Sequence, residues 1–209
     1  MSNPQTPDRE PAPKTWRDYY LATAGRPPRP TLLFALDRFT GEPGRAVDLG
    51  CGDGRDTIEL LRRGWTVTAI DAEAEAIARL KARDDLPVGA VIETLCADFT
   101  TAVWPSVGLV NASFALPLCP PAAFPALWHK IAASLAQGGR FAGQFYGPRD
   151  DWAKGRDESR ALTIVDRAAS RGLFADYTIE LFEEEESDAL TPRGKLKHWH
   201  IFHVVARKN

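Results

Sequence analysis

Residues 47–54 constrain the fold more than any other segment of this chain. Their sequence, Val-Asp-Leu-Gly-Cys-Gly-Asp-Gly, is an apolar run that meets an acidic residue and then three glycines at every second position. A glycine lets the main chain adopt positive φ and lets a ligand approach the backbone closely. Residues 57–61 can then begin a helix whose N-terminus faces the turn. The pattern therefore predicts a strand, a ligand-binding turn and a helix.

The glycine spacing differs from that of a dinucleotide-binding turn. A dinucleotide fingerprint has two residues before its third glycine, whereas Gly54 follows Gly52 after one residue. This difference disfavours a nucleotide-dependent oxidoreductase. A tight strand-to-helix turn without any ligand is the alternative interpretation of the same glycines.

Two later strand-like segments also end in acidic residues. Residues 64–71 end at Asp71, the place where a βαβ unit carries the acid that binds ribose hydroxyls. Residues 91–99 end in Asp98 and Phe99. Two other roles remain open, because Asp71 could cap a helix over 72–80 and Asp98 could be a solvated loop acid.

The glycine turn, taken with these strand ends, resembles the first motif of the class I S-adenosylmethionine-dependent methyltransferases. The resemblance implies that the acid and glycines of the turn surround the amino-acid end of the cofactor. It also implies that Asp71 binds the ribose, that Asp98 accepts from the adenine amine and that Phe99 borders the purine. The cofactor-binding residues expected on this basis are Arg26, Asp48, Gly50, Cys51, Gly52, Gly54, Asp71, Ala72, Asp98, Phe99 and Asn111.

The order of the predicted elements gives an α/β fold. A fourth strand is expected over 107–114, a helix from Pro120 to Leu135 that ends at two glycines, and a fifth strand over 140–146. A helix is expected from about 159 to 169, then strands over 177–182 and 199–207 joined by the polar stretch 183–197. The resemblance implies a Rossmann-like mixed sheet of seven strands, mostly parallel with one reversed strand in the edge region, and helices on both faces.

The N-terminal region divides into a tail and a lid. Residues 1–14 are polar and contain four prolines, so we expect a disordered tail. The domain is expected over 15–209, with a helical lid at about 15–40. Arg26 lies in a proline-stiffened turn and could bind the cofactor carboxylate with its forked guanidinium, or could simply be a surface arginine.

Composition excludes several classes of partner. The formal net charge is −2 and no basic run is present, so we expect neither a nucleic-acid nor a membrane partner. The three cysteines do not have the spacing of a disulfide framework, which favours a reducing, cytoplasmic location. No metal site is expected, since alternation along a strand puts His198 and His200 on one face and His203 on the other. We expect a monomer or a weak homodimer.

The resemblance is strongest to the small bacterial methyltransferases related to tellurite-resistance and thiopurine enzymes, and implies a small-molecule acceptor. In-line methyl transfer needs alignment and exclusion of water, which suffice for a soft nucleophile such as a thiol or a chalcogen oxyanion. Tyr20 and His200 are the catalytic candidates. Tyr146, Arg149 and Trp152 are the substrate-binding candidates. A non-catalytic cofactor-binding module is the main alternative.

One further motif is weaker. Residues 111–114, Asn-Ala-Ser-Phe, resemble the Asn-Pro-Pro-aromatic motif of amino-methylating nucleic-acid enzymes, but both prolines are missing. We therefore set base methylation aside and expect Asn111 to line the pocket or to form a hydrogen bond at the strand end.

Overall fold

A computed structural model describes residues 16–153 and 162–209. The helices are α1 (Trp16–Thr23), α2 (Pro30–Leu36), α3 (Arg55–Arg62), α4 (Ala74–Lys81), α5 (Phe124–Ser134) and α6 (Arg167–Gly172). The strands are β1 (Arg45–Leu49), β2 (Thr66–Asp71), β3 (Ile92–Cys96), β4 (Val107–Ala112), β5 (Leu135–Tyr146), β6 (Tyr177–Leu190) and β7 (Leu196–Lys208). Short 3₁₀ turns cover Leu116–Leu118 and Asp151–Ala153.

All the strands join one sheet in the order β3-β2-β1-β4-β5-β7-β6. β1 pairs in parallel with β2 and β4, as β2 does with β3 and β4 with β5. β7 is antiparallel to both β5 and β6, so it is the reversed strand. The predicted seven-stranded, mostly parallel α/β sheet is confirmed.

Two cores cover the two faces of this sheet, because neighbouring strand residues point to opposite sides. On one face, Val47 and Phe141 belong to an aromatic-rich core that includes residues of α5. On the other face, Ala46 and Ala142 belong to a core with residues of α2, α3 and α4. Helices therefore lie on both faces, and α2 packs on the side of β5 and β7 that bears Ala142.

The terminal hairpin is longer than the sequence predicted. β6 continues to Leu190 and β7 begins at Leu196, so the stretch 183–197 consists mostly of strands and not of a loop. The acidic side chains of this stretch find cross-strand or loop partners: Glu184 accepts from Arg149 and Glu186 from the same guanidinium. Paired in this way, an acidic run is compatible with a strand. Beyond the pair Tyr146–Ile201, which ends the ladder between β5 and β7, the hairpin continues as a two-stranded arm.

Other predicted boundaries also shift. Most of the helix predicted at about 159–169 lies outside the described residues, because residues 154–161 are not described. The described part corrects the rest: residues 162–166 are not helical, and α6 begins at Arg167 with the Asp166 side chain accepting from the Ala169 N–H at 2.7 Å. α5 ends at Ser134, and the glycines predicted to end it lie inside β5.

The structure describes the residues predicted to form the lid, from Trp16 onward, but not those predicted to form the tail. Helices α1 and α2 lie within the residues expected to form the lid. The tail predicted at 1–14 lies outside the described residues. No helix in the described part of the chain has the length and apolar character needed to cross a membrane.

Candidate active site

The glycine turn follows β1 and is fastened to the end of β2. The N–H groups of Gly50 and Cys51 both donate to the Ile70 carbonyl, at 2.8 and 3.0 Å. Gly50, Gly52 and Gly54 have φ values of 66°, 55° and 90°. A Cβ on Gly50 would lie 2.7 Å from the Ala115 Cβ. These positions need glycine for conformation, and Gly50 needs it for space as well.

A buried hydrogen-bond network holds the turn against β4. The Asp48 carboxylate accepts from Thr57 Oγ1 at 2.6 Å and from Asn111 Nδ2 at 2.8 Å. The same Asn111 amide donates to Asp56 at 3.1 Å. Burial, with Asp56 nearby, raises the pKa of Asp48 to about 7. Asp48 and Asn111 are thus placed below the turn, bonded to each other.

Asp71, at the end of β2, binds main-chain N–H groups with both carboxylate oxygens. Oδ2 accepts from Gly52 N at 2.8 Å and Oδ1 from Glu73 N at 2.9 Å. Glu73 and not Asp71 precedes the first residue of α4, so Asp71 does not occupy the cap position considered from the sequence. Burial raises the pKa of Asp71. Each carboxylate oxygen has a second lone pair, which leaves room for a hydroxyl donor.

The residues predicted to bind adenine lie one strand further along the sheet. Asp98 is exposed just beyond β3, and its Oδ1 accepts from the backbone and hydroxyl of Thr100 at 2.7 and 2.6 Å. Phe99 packs partly against the core. Ala72 is exposed after β2. Because β2 and β3 are adjacent parallel strands, these residues and Asp71 lie side by side at the carboxyl ends of the strands.

Helix α1 covers the glycine turn through Tyr20. This side chain is 3% exposed, and its Cε1 lies 3.5 Å from the position that a Cβ on Gly52 would take. Burial, with Asp71 nearby, raises the pKa of the Tyr20 phenol above its ordinary value. The phenol is therefore neutral at physiological pH and can donate a hydrogen bond but not act as a base. Arg26 is exposed in the turn after α1.

A cavity of about 920 Å³ lies beside the ends of β4 and β5, on the face that packs α2. We call it the chamber. Its lining residues come from α1, α2, the loop after β4, β5 and the hairpin: Trp16, Tyr19, Arg26, Arg29, Pro30, Thr31, Phe34, Phe114, Leu118, Gln144, Tyr146, Trp152, Leu181, Glu183, Glu185, Ala189, Leu190, Thr191, Pro192, Arg193, Trp199, Ile201 and His203. Tyr146, Trp152 and Arg26 are the predicted site residues among them.

One glutamine organises the inner wall of the chamber. Gln144 is 1% exposed; its Nε2 donates to Thr31 Oγ1 at 2.7 Å and its Oε1 accepts from Phe114 N at 3.0 Å. Phe114 has a φ of 58°, the left-handed region that costs a non-glycine residue energy. The Arg29 guanidinium lies 4.4 Å from the centre of the Phe114 ring. Gln144 thus joins α2, β5 and the loop after β4.

An aromatic cluster with a buried lysine forms another wall. Lys197 Nζ lies 3.6, 4.5 and 5.1 Å from the ring centres of Trp199, Trp152 and Tyr146, and donates to the carboxylate of Asp150. The sequence analysis missed Lys197. Strand alternation offered a signal, because residues 197, 199, 201 and 203 share one face of β7.

His200 and Arg149 do not line the chamber, so the structure corrects their predicted placement. The His200 ring is 1% exposed and lies on the other face of β7, with Nδ1 accepting from Arg149 N at 3.1 Å and Nε2 2.9 Å from Glu184. The Arg149 side chain pairs with Glu184 and Glu186. The histidine that lines the chamber is His203. Among the described residues no three potential metal ligands cluster.

Comparison with known proteins identifies the central part of the chain. The methyltransferase domain family matches residues 46–139. This central part of the chain is thus similar to a methyltransferase domain, the class that the sequence motifs resemble.

Two curated relatives match parts of the chain. A trans-aconitate 2-methyltransferase of Rhodopseudomonas palustris is 33% identical over 100 residues, 46% of this chain and 38% of that protein. A ribosomal RNA small subunit methyltransferase C of Alcanivorax borkumensis is 43% identical over 47 residues, 22% of this chain and 14% of that protein. The chain thus spans well under half the length of either relative.

Solved structures share the fold more extensively. TehB from Haemophilus influenzae superimposes with a TM-score of 0.75 at 16% identity, covering 93% of this chain and 67% of TehB. A Burkholderia thailandensis 1,6-didemethyltoxoflavin-N1-methyltransferase, solved with 1,6-didemethyltoxoflavin and S-adenosylhomocysteine, gives 0.64 at 22% identity, with 87% and 77% coverage. At these identities the likeness establishes the fold.

The residues of this region fit S-adenosylmethionine, the cofactor that the sequence resemblance implies. The adjacent strands β1, β2 and β3 bring the glycine turn, Asp71 and Asp98 together at the carboxyl ends of the strands, which we call the cofactor edge. It offers backbone without side chains, and two carboxylates that can accept hydrogen bonds from hydroxyls or an amine. The Cys51 thiol is buried, and burial raises its pKa, so it stays neutral. Cys51 is therefore part of the glycine turn but does not supply a thiolate.

Proposed function

We propose that this chain is an enzyme that transfers a methyl group from S-adenosylmethionine to a small molecule held in the chamber. The observation that carries the proposal is the chamber itself, a large cavity lined by aromatic rings beside the ends of β4 and β5. Open α/β sheets bind ligands at the carboxyl ends of their strands. Phe114, in the loop after β4, lines the chamber, and we infer that the chamber meets the cofactor edge there.

The cofactor would be held by residues of the turn and the strand ends. We assign its amino-acid end to the glycine turn and Arg26, its ribose to Asp71 with Ala72 beside it, and its adenine to Asp98 and Phe99. Tyr20, which covers Gly52, would exclude water from this edge. When bound, S-adenosylmethionine supplies an activated methyl group.

The acceptor would be flat and would carry a soft nucleophile such as a thiol. The rings of Phe114, Tyr146 and Trp199 line the chamber and present faces on which a planar molecule can stack. Arg149, the cationic candidate for substrate binding, does not line the chamber. Arg29 lines it instead, so we assign to Arg29 a preference for an anionic or polarisable acceptor.

Catalysis would depend mainly on alignment. In-line transfer needs the nucleophile, methyl carbon and sulfur on one line in a space without bulk water. α1 and the turn of the hairpin enclose the chamber, with Arg193 lying 5.9 Å from the centre of the Trp16 ring. Gln144 holds two parts of the inner wall together and so fixes the position of the acceptor relative to β4.

We infer a small molecule rather than a nucleic acid as the acceptor. The whole chain carries a formal net charge of −2, and its sequence contains no basic run. Nucleic-acid binding needs cations along the path of the phosphate backbone.

Two measurements test the proposal. Calorimetric titration with S-adenosylmethionine, S-adenosylhomocysteine and NAD should show binding of the first two only. Release of S-adenosylhomocysteine should then occur with members of a panel of aromatic thiols, thiopurines, catechols, amines, selenite and tellurite. Binding without turnover would favour a non-catalytic module, and turnover confined to RNA would refute the small-molecule acceptor.

A further inference from the structure

We propose that His203 is a general base for this reaction, positioned by Glu185, and that the acceptor therefore enters carrying a proton on its nucleophilic atom. This inference rests on the proposed function and adds to it. A neutral aromatic thiol or phenol needs such a base, whereas a chalcogen oxyanion has no proton to lose.

His203 lies in the wall of the chamber close to the end of β4. It faces Gln144 of β5 and Glu183 of β6 in the sheet register. Its ring centre is 6.4 Å from that of Phe114, in the loop that follows β4. An acceptor stacked near Phe114 is thus within reach of the imidazole.

The pairing with Glu185 selects one tautomer of the imidazole. His203 Nε2 lies 2.9 Å from Glu185 Oε2, and an ionised carboxylate can only accept, so the hydrogen resides on Nε2. Nδ1 then carries the lone pair. Within residues 16–153 and 162–209, no hydrogen bond involves this Nδ1. His200 differs, because both of its ring nitrogens contact Arg149 or Glu184.

Charged and polar groups surround the proposed place of proton transfer. Glu183 faces His203 from β6, Glu185 pairs with its Nε2, and β5 presents the neutral Gln144. Arg29, at the start of α2, lies over Phe114 and can stabilise an anionic acceptor.

The step is a simple proton transfer. The bond between the acceptor atom and its hydrogen breaks, its electron pair stays on the acceptor, and the proton binds Nδ1 of His203. The resulting thiolate or phenolate is the nucleophile that attacks the methyl group. The His203 side chain is 20% exposed and that of Glu185 47% exposed, so the proton can then pass to solvent.

The kinetic test compares acceptors that differ in ionisation. His203→Gln should lower kcat/KM for a protonated phenol by about a hundred-fold or more, the usual scale for losing a general base, and should remove the acidic limb of its pH profile. An aromatic thiol already ionised at the assay pH should react almost as fast as with wild type. Glu185→Gln should show the same selectivity with a smaller loss. His198→Gln, on the other face of β7 beside Asp188, is the matched control and should behave as wild type.

A second readout needs no cofactor. The absorbance of 4-nitrophenol reports its ionisation, so its bound pKa can be measured on the protein alone. Wild type and His198→Gln should ionise the bound phenol at lower pH than His203→Gln does. Three outcomes would overturn the role of His203. His203→Gln could lose kcat/KM equally for both acceptors, it could keep the kcat/KM of wild type for both, or 4-nitrophenol could fail to bind. Absence of turnover by wild type, with phenol ionisation intact, would count against the proposed function instead.

Discussion

At the scale of single residues, the cofactor edge depends on carboxylates in different surroundings. Asp98 is exposed, whereas Asp71 is partly buried and fastens the glycine turn to the start of α4. Asp48 is fully enclosed and accepts two hydrogen bonds from neighbouring side chains. The three acids should therefore respond differently to substitution.

Replacing Asp71 should weaken cofactor binding while the fold survives. We expect Asp71→Ala to cost about 1.5–3 kcal/mol of S-adenosylmethionine binding, the scale for losing hydrogen bonds to a charged group. Titration calorimetry measures the loss, and circular dichroism checks the fold. Asp37→Ala, an exposed acid paired with Arg63, is the control. Unchanged affinity in a folded Asp71→Ala protein would remove this residue from the site.

Asp48 should give the protein a pH-dependent stability. Its pKa is about 7 in the folded state against an ordinary 3.8, so the folded protein binds this proton more tightly than the unfolded chain. The resulting stabilisation is complete below 3.8 and is lost as the pH rises through about 7. Asp48→Asn cannot ionise and should lack this slope.

Urea unfolding of wild type and Asp48→Asn across that pH interval measures the difference. The stability of wild type relative to the variant should fall as pH rises. Asp37→Asn, at an exposed site, should run parallel to wild type. Parallel curves for Asp48→Asn too would show that the carboxylate is ionised throughout.

At the scale of elements, the long hairpin of β6 and β7 adds an arm to the seven-stranded sheet. Its arm extends beyond β5, and the turn after β6 supplies Thr191, Pro192 and Arg193 to the chamber. Because the turn lies at the end of the arm, beyond the strands that carry the cofactor residues, its removal should affect the acceptor more than the fold.

Shortening the hairpin tests that assignment. Replacing residues 191–195 by Asn-Gly, which favours a two-residue turn, keeps the pairing of Leu190 with Leu196. The Tm and the affinity for S-adenosylmethionine should stay close to wild type, while KM for the acceptor rises several-fold. An equal fall in cofactor affinity would mean that the turn supports the cofactor edge instead.

The secondary-structure elements were predictable where the hydrophobic periodicity and the turn residues indicated the same boundaries. The glycine turn and the ends of β2 and β3 have local signals, so the sheet and its cofactor edge followed from sequence. The hairpin did not, because a run of glutamates reads as solvated loop until Arg149 and Arg167 are known to pair with it. His200 was preferred over His203 because alternation shows which residues share a face, but not which face meets the chamber.

At the scale of the whole molecule, we expect a monomer. Within the described residues, β3 and β6 are the edge strands of the sheet, and β6 carries four consecutive glutamates. Charged edge strands oppose pairing with a second copy. Sedimentation velocity should give a single species near 23.0 kDa at micromolar concentration. A dimer that persists in high salt would show that another surface mediates association.

The alternation of β6 and β7 has a consequence for how this protein can change over evolution. Apart from Leu190 at the end of β6, the strand residues of the hairpin that line the chamber are at odd positions: Leu181, Glu183, Glu185, Ala189, Trp199, Ile201 and His203. A single-residue insertion in β7 would exchange parity and turn His200 and Phe202 toward the acceptor in place of Ile201 and His203. Insertions of two residues would preserve parity. We therefore expect length variation in this hairpin to occur in even steps or at its turn.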